Sequence, residues 1–303
     1  MEIERFAEIV KDGVIKRLGD GCQITIRKVD KNNGVTYTGL NVRRGIADIS
    51  PLIYLDSQFN DFKNGKTTIP EVVDYVVKNG KIKTRQVDMR RFLNYEKIAD
   101  SIVYSLVNTG RNKKLLEDLP YIEFMDLSIV FQCILEEDDY GTASILIHNV
   151  HLKLWDVTVN DLLRAAEKNT PLLRGYELKS MTDVLREIMD SEPSEEVDYD
   201  AYMEEIINGV PMYVLSNRNR IDGAACILYP TLLTDICDSL QSSFYIIPSS
   251  IHEVLVLPSD STDESAKIRE MIKEINDTQV SAEEILSYSL YFYNRDGNRL
   301  YIV

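Results

Sequence analysis

The first third of the chain alternates between helical and strand-like spacing of its apolar residues. From Glu2 to Leu18, apolar side chains recur at the intervals that place them on one face of a helix. Alternating apolar and polar positions then predict two strands, CQITIRKV and VTYTGLNV. Asn33-Gly34 between them can supply the positive φ angles of a tight hairpin. A third strand, SPLIYLD, and helices near 57–64, 69–78 and 94–107 are expected next.

Beyond residue 108 the pattern again mixes strands with helices. DLSIVFQCIL and TASILIHN predict a pair of strands around a polar loop. Later strands are expected at PMYVLSN and GAACILYP, and Asp296-Gly297 marks a closing hairpin. Four helix starts are predicted where a hydroxyl residue is followed three positions later by an acid. These pairs are Thr158 with Asp161, Ser180 with Asp183, Ser261 with Glu264, and Ser281 with Glu284.

The order of these elements predicts the fold class. Strands are joined through hairpins rather than through regular βαβ units, which favours an α+β fold with mixed or antiparallel sheets and packed helices. We expect two subdomains, a mildly basic one over residues 1–112 and a strongly acidic one over 113–303. Within the second, the apolar-poor acidic segment near 190–208 is expected to be exposed.

Charge is distributed unevenly along the chain, whose net charge is −15. Residues 1–118 carry 21 Lys+Arg and 16 Asp+Glu, whereas residues 119–303 carry 13 and 33. The acidic half repels a phosphate backbone, so nucleic acid is not expected as a partner of the whole chain. A basic run over 78–91 indicates either a docking patch for an acidic partner or a merely solvated surface, the commoner role of such runs.

Composition also bears on where the protein acts. No apolar run approaches the roughly 18 residues of a membrane span, so no membrane association is expected. The N-terminal sequence MEIERFAEIVKDG is acidic and helical in pattern, unlike a secretory signal. The four cysteines form no CxxC pair and are expected to be reduced. These features predict a soluble, acidic, cytoplasmic protein.

The stretch from Phe244 to Pro258 carries the first candidate chemistry. It places Ser249 and Ser250 at a corner between two apolar strands, followed directly by His252 and Glu253. On a strand, Ser250 and His252 share a face and could form a nucleophile–base pair. The alternative is that the serines bond turn amides and that His252 bonds a nearby carbonyl. Neither a second zinc histidine nor an oxyanion-hole glycine motif accompanies them.

Two further sites are conceivable. His148 and His151 stand three apart and could hold a metal if helical, although the segment is predicted to be the end of a strand. Cys226 with His252 is a conceivable catalytic pair brought together by folding, but Cys226 lies in an apolar predicted strand. A small buried hydrophobic role is the simpler interpretation of this cysteine. No cofactor motif is found.

Several segments together resemble a known bacterial family. They are LVNTGRNKKLLEDLPYIEFMDLSIVF, TASILIHNVHLKLWDVT, PMYVLSN, GAACILYP, IIPSSIHEVLVLP and VSAEEILSYSLYFY. The chain is similar in these runs, and in their order, to an uncharacterised domain-of-unknown-function family of about 300 residues that is frequent in gut Clostridia. The resemblance implies no activity, cofactor or catalytic residue.

The sequence leaves the function unknown and two hypotheses open. The first is a non-catalytic, cytoplasmic protein-binding or regulatory module whose partner is another protein. The alternative is a hydrolase or metal-assisted enzyme centred on His252 and Glu253. The two differ in what they require of the fold, because the enzyme needs these groups to converge in a pocket with other polar residues.

Overall fold

The computed structural model describes residues 1–19, 21–44, 52–80, 89–138, 141–191, 211–259 and 265–303. The helices are α1 Ile3–Leu18, α2 Asp56–Lys63, α3 Ile69–Asn79, α4 Met89–Phe92, α5 Tyr95–Ile98, α6 Lys113–Leu116, α7 Asn149–Trp155, α8 Val159–Arg174, α9 Met181–Ser191, α10 Leu232–Leu240 and α11 Ser265–Thr278. The strands are β1 Cys22–Asp30, β2 Thr36–Arg44, β3 Leu52–Tyr54, β4 Ile102–Asn108, β5 Ile122–Phe124, β6 Leu127–Asp138, β7 Gly141–Leu146, β8 Glu177–Ser180, β9 Tyr213–Ser216, β10 Phe244–Ile247, β11 Glu253–Pro258, β12 Tyr291–Asn294 and β13 Arg299–Ile302.

The chain forms two compact units, Met1–Arg90 and Arg91–Val303. This division lies nearer the N-terminus than the one expected after residue 112, because β4 pairs with β6 of the second unit. All strand pairings among the described residues are antiparallel, and helices pack against the sheets. The α+β class predicted from the hairpin pattern is therefore confirmed.

The first unit is a three-stranded antiparallel sheet in the order β1-β2-β3, with helices on one face. The predicted face of α1 is buried, as are inward-facing residues of the sheet such as Leu40 and Val42. The β1–β2 hairpin turns where predicted, and both Asn33 and Gly34 have positive φ angles, of 60° and 71°. Helix α3 begins with a capping box in which Glu71 accepts from the backbone N–H of Thr68.

The second unit contains two antiparallel sheets around one core. In the first sheet, β4 pairs with one edge of β6 while β5 and β7 share the other edge. The second sheet has the order β13-β12-β10-β11-β9-β8. Phe131 of the first sheet and Val254 of the second belong to the same buried cluster. Helix α11 packs against the opposite face of the second sheet through Ile268 and Ile272.

Several predicted elements are wrong within the described residues. Residues 94–107 form no single helix but a short helix, a 3-10 turn and the strand β4. The predicted strand GAACILYP contains a buried 3-10 helix, Gly223–Leu228, which begins after Asp222 in a left-handed conformation. The capping box expected at Ser281 starts no helix, and Glu284 lies in a turn instead. The Glu284 side chain faces His252 rather than capping a helix.

Other predictions concern segments that lie wholly or partly outside the described residues. Lys81, Lys83 and Arg85 of the basic run lie outside them, as do the acidic segment beyond residue 191 and the predicted helix start at Ser261. In the part of the chain that the structure covers, no helix has both the length and the apolar character needed to cross a bilayer.

Candidate functional site

The imidazole of His252 is held by groups from two distant segments. Its Nδ1 accepts the backbone N–H of Asp222 at 3.3 Å, so the ring proton lies on Nε2. That nitrogen is 3.4 Å from Oε1 of Glu284, and the side chain is 28% exposed. Both ring nitrogens thus have partners, one inside the fold and one at the surface.

The serines beside His252 are bonded to backbone rather than to the imidazole. Ser250 Oγ accepts the backbone N–H of His252 at 3.0 Å, as expected of a turn serine. Ser249 and Ser250 are both 5% exposed, and Ser249 accepts the N–H of Leu286 through its carbonyl. Among the described residues, the imidazole of His252 therefore meets Glu284 and is hydrogen-bonded to no serine hydroxyl.

A network of hydrogen-bonded polar side chains lies behind His252, and the sequence did not predict it. Gln132 Nε2 donates to Asp222 Oδ2 at 3.0 Å and to Ser105 Oγ at 3.2 Å. Ser144 Oγ donates to the side-chain oxygen of Gln132 at 3.0 Å. These contacts link the first sheet of this unit to the start of the 3-10 helix. They fix Asp222, whose N–H in turn orients the imidazole.

Glu253 points into a different environment, which the strand register defines. Ser216 of β9 lies opposite Glu253 of β11 on one side and opposite Glu177 of β8 on the other. The next row on the same face is Lys179, Val214 and Leu255, because side chains alternate between faces along a strand. These two rows form the floor of a cavity of about 300 Å³.

Helix α9 supplies the wall of this cavity, which we call the Glu253 pocket. Met181 and Val184 line it from the first turn of the helix, and Arg220 lines its polar side. Ser180 directly precedes the helix, and its Oγ accepts the backbone N–H of Asp183 at 3.1 Å. The predicted capping pair thus positions the two apolar side chains over the sheet.

The cations of the Glu253 pocket are already paired. Lys179 Nζ lies 2.8 Å from Glu187 and 3.2 Å from Glu177, and hydrogen bonds to these carboxylates raise the pKa of Lys179. The hydrogen bond from Lys179 also lowers the pKa of Glu187, which accepts from Arg220 at 2.9 Å as well. Within the described residues, no cation is placed against the carboxylate of Glu253.

His148 and His151 stand at the start of α7 and not at the end of a strand. His148 is the N-cap, and its backbone N–H donates to Nδ1 of His151 at 3.0 Å. Nδ1 of His148 lies 2.8 Å from Asp118 Oδ2. Burial against Trp155 and Phe92, and secondly the nearby His148, lower the pKa of His151. In the described ranges, no three His, Cys, Asp or Glu side chains are grouped to hold a metal ion.

The thiol of Cys226 is enclosed. Cys226 lies in the buried 3-10 helix with no exposed surface, and burial raises the pKa of its thiol to about 12. A thiol with that pKa carries almost no thiolate at neutral pH. The environment suits packing rather than nucleophilic chemistry.

Comparison with known proteins bears on the whole chain. A model of a family of unknown function (DUF5688) matches residues 3–295. No curated protein and no solved structure matches significantly. Because the match spans nearly the full length, the resemblance found in the sequence is confirmed at the level of the family, and this chain belongs to the family of unknown function DUF5688.

Proposed function

We propose that this protein is a non-catalytic binding module whose Glu253 pocket receives a lysine side chain of a protein partner. The observation that carries the proposal is the carboxylate of Glu253 in a cavity of about 300 Å³, without a described counter-charge. A carboxylate in this position favours a cation, and the chain's net charge of −15 favours a basic partner at long range. The four free cysteines support a cytoplasmic setting.

The lining of the pocket fits the shape of a lysine side chain. Lysine buries its aliphatic stem against apolar surface while its ammonium group makes polar contacts. Met181, Val184 and Leu255 offer the apolar surface, and the carboxylate of Glu253 offers the polar contact. A free linear alkylamine has the same chemistry, so the test must separate it from a lysine in a peptide.

A hydrolase centred on His252 and Glu253 is the second candidate. The observation that favours it is the partly exposed pair of His252 and Glu284, since a carboxylate beside an imidazole is common in catalytic sites. Against it, Ser250 Oγ bonds the backbone N–H of His252, and Asp222 occupies Nδ1 of the ring. Catalysis would require a nucleophile within hydrogen-bonding distance of the imidazole. No hydrogen bond among the described residues places one there.

The proposal is tested by calorimetric titration of the full chain with the peptide acetyl-Gly-Gly-Lys-Gly-Gly-amide. The peptide should bind, and its version acetylated at the lysine Nζ should not, because acetylation removes the charge. Glu253→Gln should weaken binding by about tenfold or more, since a hydrogen bond to a charged group is lost. Glu123→Gln is the matched control, because Glu123 is exposed on β5, away from this pocket.

The outcomes separate the possibilities. Binding of n-pentylamine but not of the lysine peptide would assign the pocket to a free amine and reject a protein partner. Equal affinity of the parent protein and Glu253→Gln for the peptide would contradict the assignment of the Glu253 pocket as the lysine-binding site. Peptide or ester hydrolysis that is lost in His252→Gln would favour the enzyme instead.

A further inference from the structure

A second cavity, in the first unit, follows the free edge of a sheet. It has a volume of about 680 Å³ and is lined by Leu52, Ile53 and Tyr54, the three consecutive residues of β3. A cavity over one face of a strand touches alternate residues only, as the Glu253 pocket does. Contact with all three consecutive residues means that this cavity runs along the edge of β3, and we call it the β3 groove.

The backbone of β3 presents hydrogen-bonding groups to this groove. The N–H of Leu55 donates to the carbonyl of Thr38 in β2, so Ile53, two residues earlier, also points towards β2. Leu52 and Tyr54 therefore direct their N–H and C=O groups away from β2, into the groove. No other described strand pairs with β3. This edge is a template for one more strand.

The walls of the groove select the side chains that such a strand would carry. Asp56 and Asp61 of α2 line it, and it contains no Lys or Arg among its described lining residues. Tyr37, Tyr54 and Tyr75 line it as well, and Tyr75 is 42% exposed. Lys31 Nζ lies 4.6 Å from the centre of the Tyr54 ring, so this aromatic surface already accepts one cation of the chain itself.

We propose that the β3 groove binds an extended, basic peptide segment of a partner, which adds a strand to the edge of β3. The backbone of the peptide would pair with Leu52 and Tyr54, while its Lys or Arg side chains would meet Asp61 and the tyrosines. The site lies in a different unit from the Glu253 pocket and rests on separate observations, so it stands even if that pocket binds nothing.

The probe for this proposal is a fluorescein-labelled (Val-Lys)₄ peptide, followed by fluorescence anisotropy with the full chain. It should bind, with an affinity that falls as salt rises, whereas (Val-Glu)₄ should not. Asp61→Asn should weaken binding about threefold, as removal of one exposed charge pair does. Asp12→Asn is the control, because Asp12 is exposed on α1 of the same unit and is no part of the groove.

A proline substitution tests strand addition directly. Leu52→Pro removes an N–H that faces the groove and leaves the β2–β3 ladder intact, since proline is tolerated at the first residue of an edge strand. It should weaken binding of (Val-Lys)₄ at least about tenfold relative to Leu52→Ala, which keeps the N–H. Circular dichroism melting confirms that both variants fold.

Three results would overturn the proposal. The first is equal binding by folded Leu52→Pro and Leu52→Ala. The second is binding of neutral cellohexaose with none of the peptide, which would make the groove a carbohydrate site. The third is loss of peptide binding in Glu253→Gln but not in Leu52→Pro or Asp61→Asn, which would assign the peptide to the other pocket.

Discussion

Gly223 shows how closely the backbone packs around the candidate histidine. A Cβ atom at this position would lie 2.1 Å from Ser216 Oγ and 2.3 Å from the carbonyl oxygen of His252. Ser216 Oγ also donates to that carbonyl at 2.7 Å. The absence of a side chain at Gly223 therefore lets the 3-10 helix approach both β9 and the segment that carries His252.

Gly223→Ala should destabilise the fold by about 3 kcal/mol, the upper end of overpacking effects in a core. The added methyl group would meet backbone and a bonded hydroxyl, which cannot move aside cheaply. Urea unfolding measures the change. The control is Gly297→Ala, where an added Cβ has nothing within 4 Å. Equal free energies of unfolding for the two variants would contradict the close packing of Ser216 and His252 against Gly223.

The four thiols should differ in reactivity because they differ in burial. Cys133, Cys226 and Cys237 are buried, and Cys22 is only partly so. Burial raises the pKa of Cys133 to about 11 and that of Cys226 to about 12. Ellman's reagent at pH 8 should therefore modify one thiol quickly in the native protein and the rest only after denaturation. Rapid modification of Cys226 would contradict its placement.

At the scale of single elements, the start of α7 couples folding to pH. The pKa of His151 is lowered mainly by burial and secondly by His148, so the folded state favours the neutral ring. Its contribution to stability is complete above its unfolded pKa of 6.5 and is lost as the pH falls below that value. The free energy of unfolding should decrease between pH 7.5 and 5.5.

His151→Gln tests this coupling while keeping an acceptor for the backbone N–H of His148. Glutamine does not titrate, so the variant should lose less stability than the parent over the same pH range. Thermal melting at several pH values provides the comparison. An identical slope in both proteins would mean that another group causes the pH dependence.

Strand β4 explains why one helix prediction failed. Ile102 to Val107 is an unbroken buried run, because both of its faces are covered and α8 lies along its outer edge. Asn169 Nδ2 donates to the carbonyl of Ile102, and Thr170 Oγ1 accepts the N–H of Tyr104. A strand buried on every side loses the alternation that distinguishes it from a helix. The half-exposed strands β1 and β2, which keep the alternation, were predicted correctly.

The candidate sites depend on contacts that local pattern does not encode. The sequence of residues 244–258 predicts Glu253 as a candidate site residue. Its neighbours Ser216 and Glu177, however, come from strands whose register is set by tertiary packing. Glu284 was predicted to cap a helix and instead faces His252. Asp61 and Tyr75 lie on predicted helices, yet only the arrangement of α2 and α3 beside β3 brings them to one groove.

At the scale of the whole molecule, both proposed sites would take a basic partner, but the uneven charge of the chain acts on them differently. The acidic excess lies in residues 119–303, so it adds long-range attraction for a partner of the Glu253 pocket, whereas Asp61 acts through its own carboxylate in the β3 groove. Raising the salt concentration from 0.05 M to about 0.5 M should weaken binding of any basic partner, because screening shortens the range of these charges. Affinity that is insensitive to salt would contradict a role for charge.

Methyl NMR of the full chain tests the central claim most directly. Met181, Val184, Val214 and Leu255 all carry methyl groups that line the Glu253 pocket. Titration with acetyl-Gly-Gly-Lys-Gly-Gly-amide should shift these four sets of signals together, and the shifts should disappear in Glu253→Gln. Signals that stay in place at saturating peptide, or that move equally in the variant, would contradict the account of this protein as a lysine-binding module.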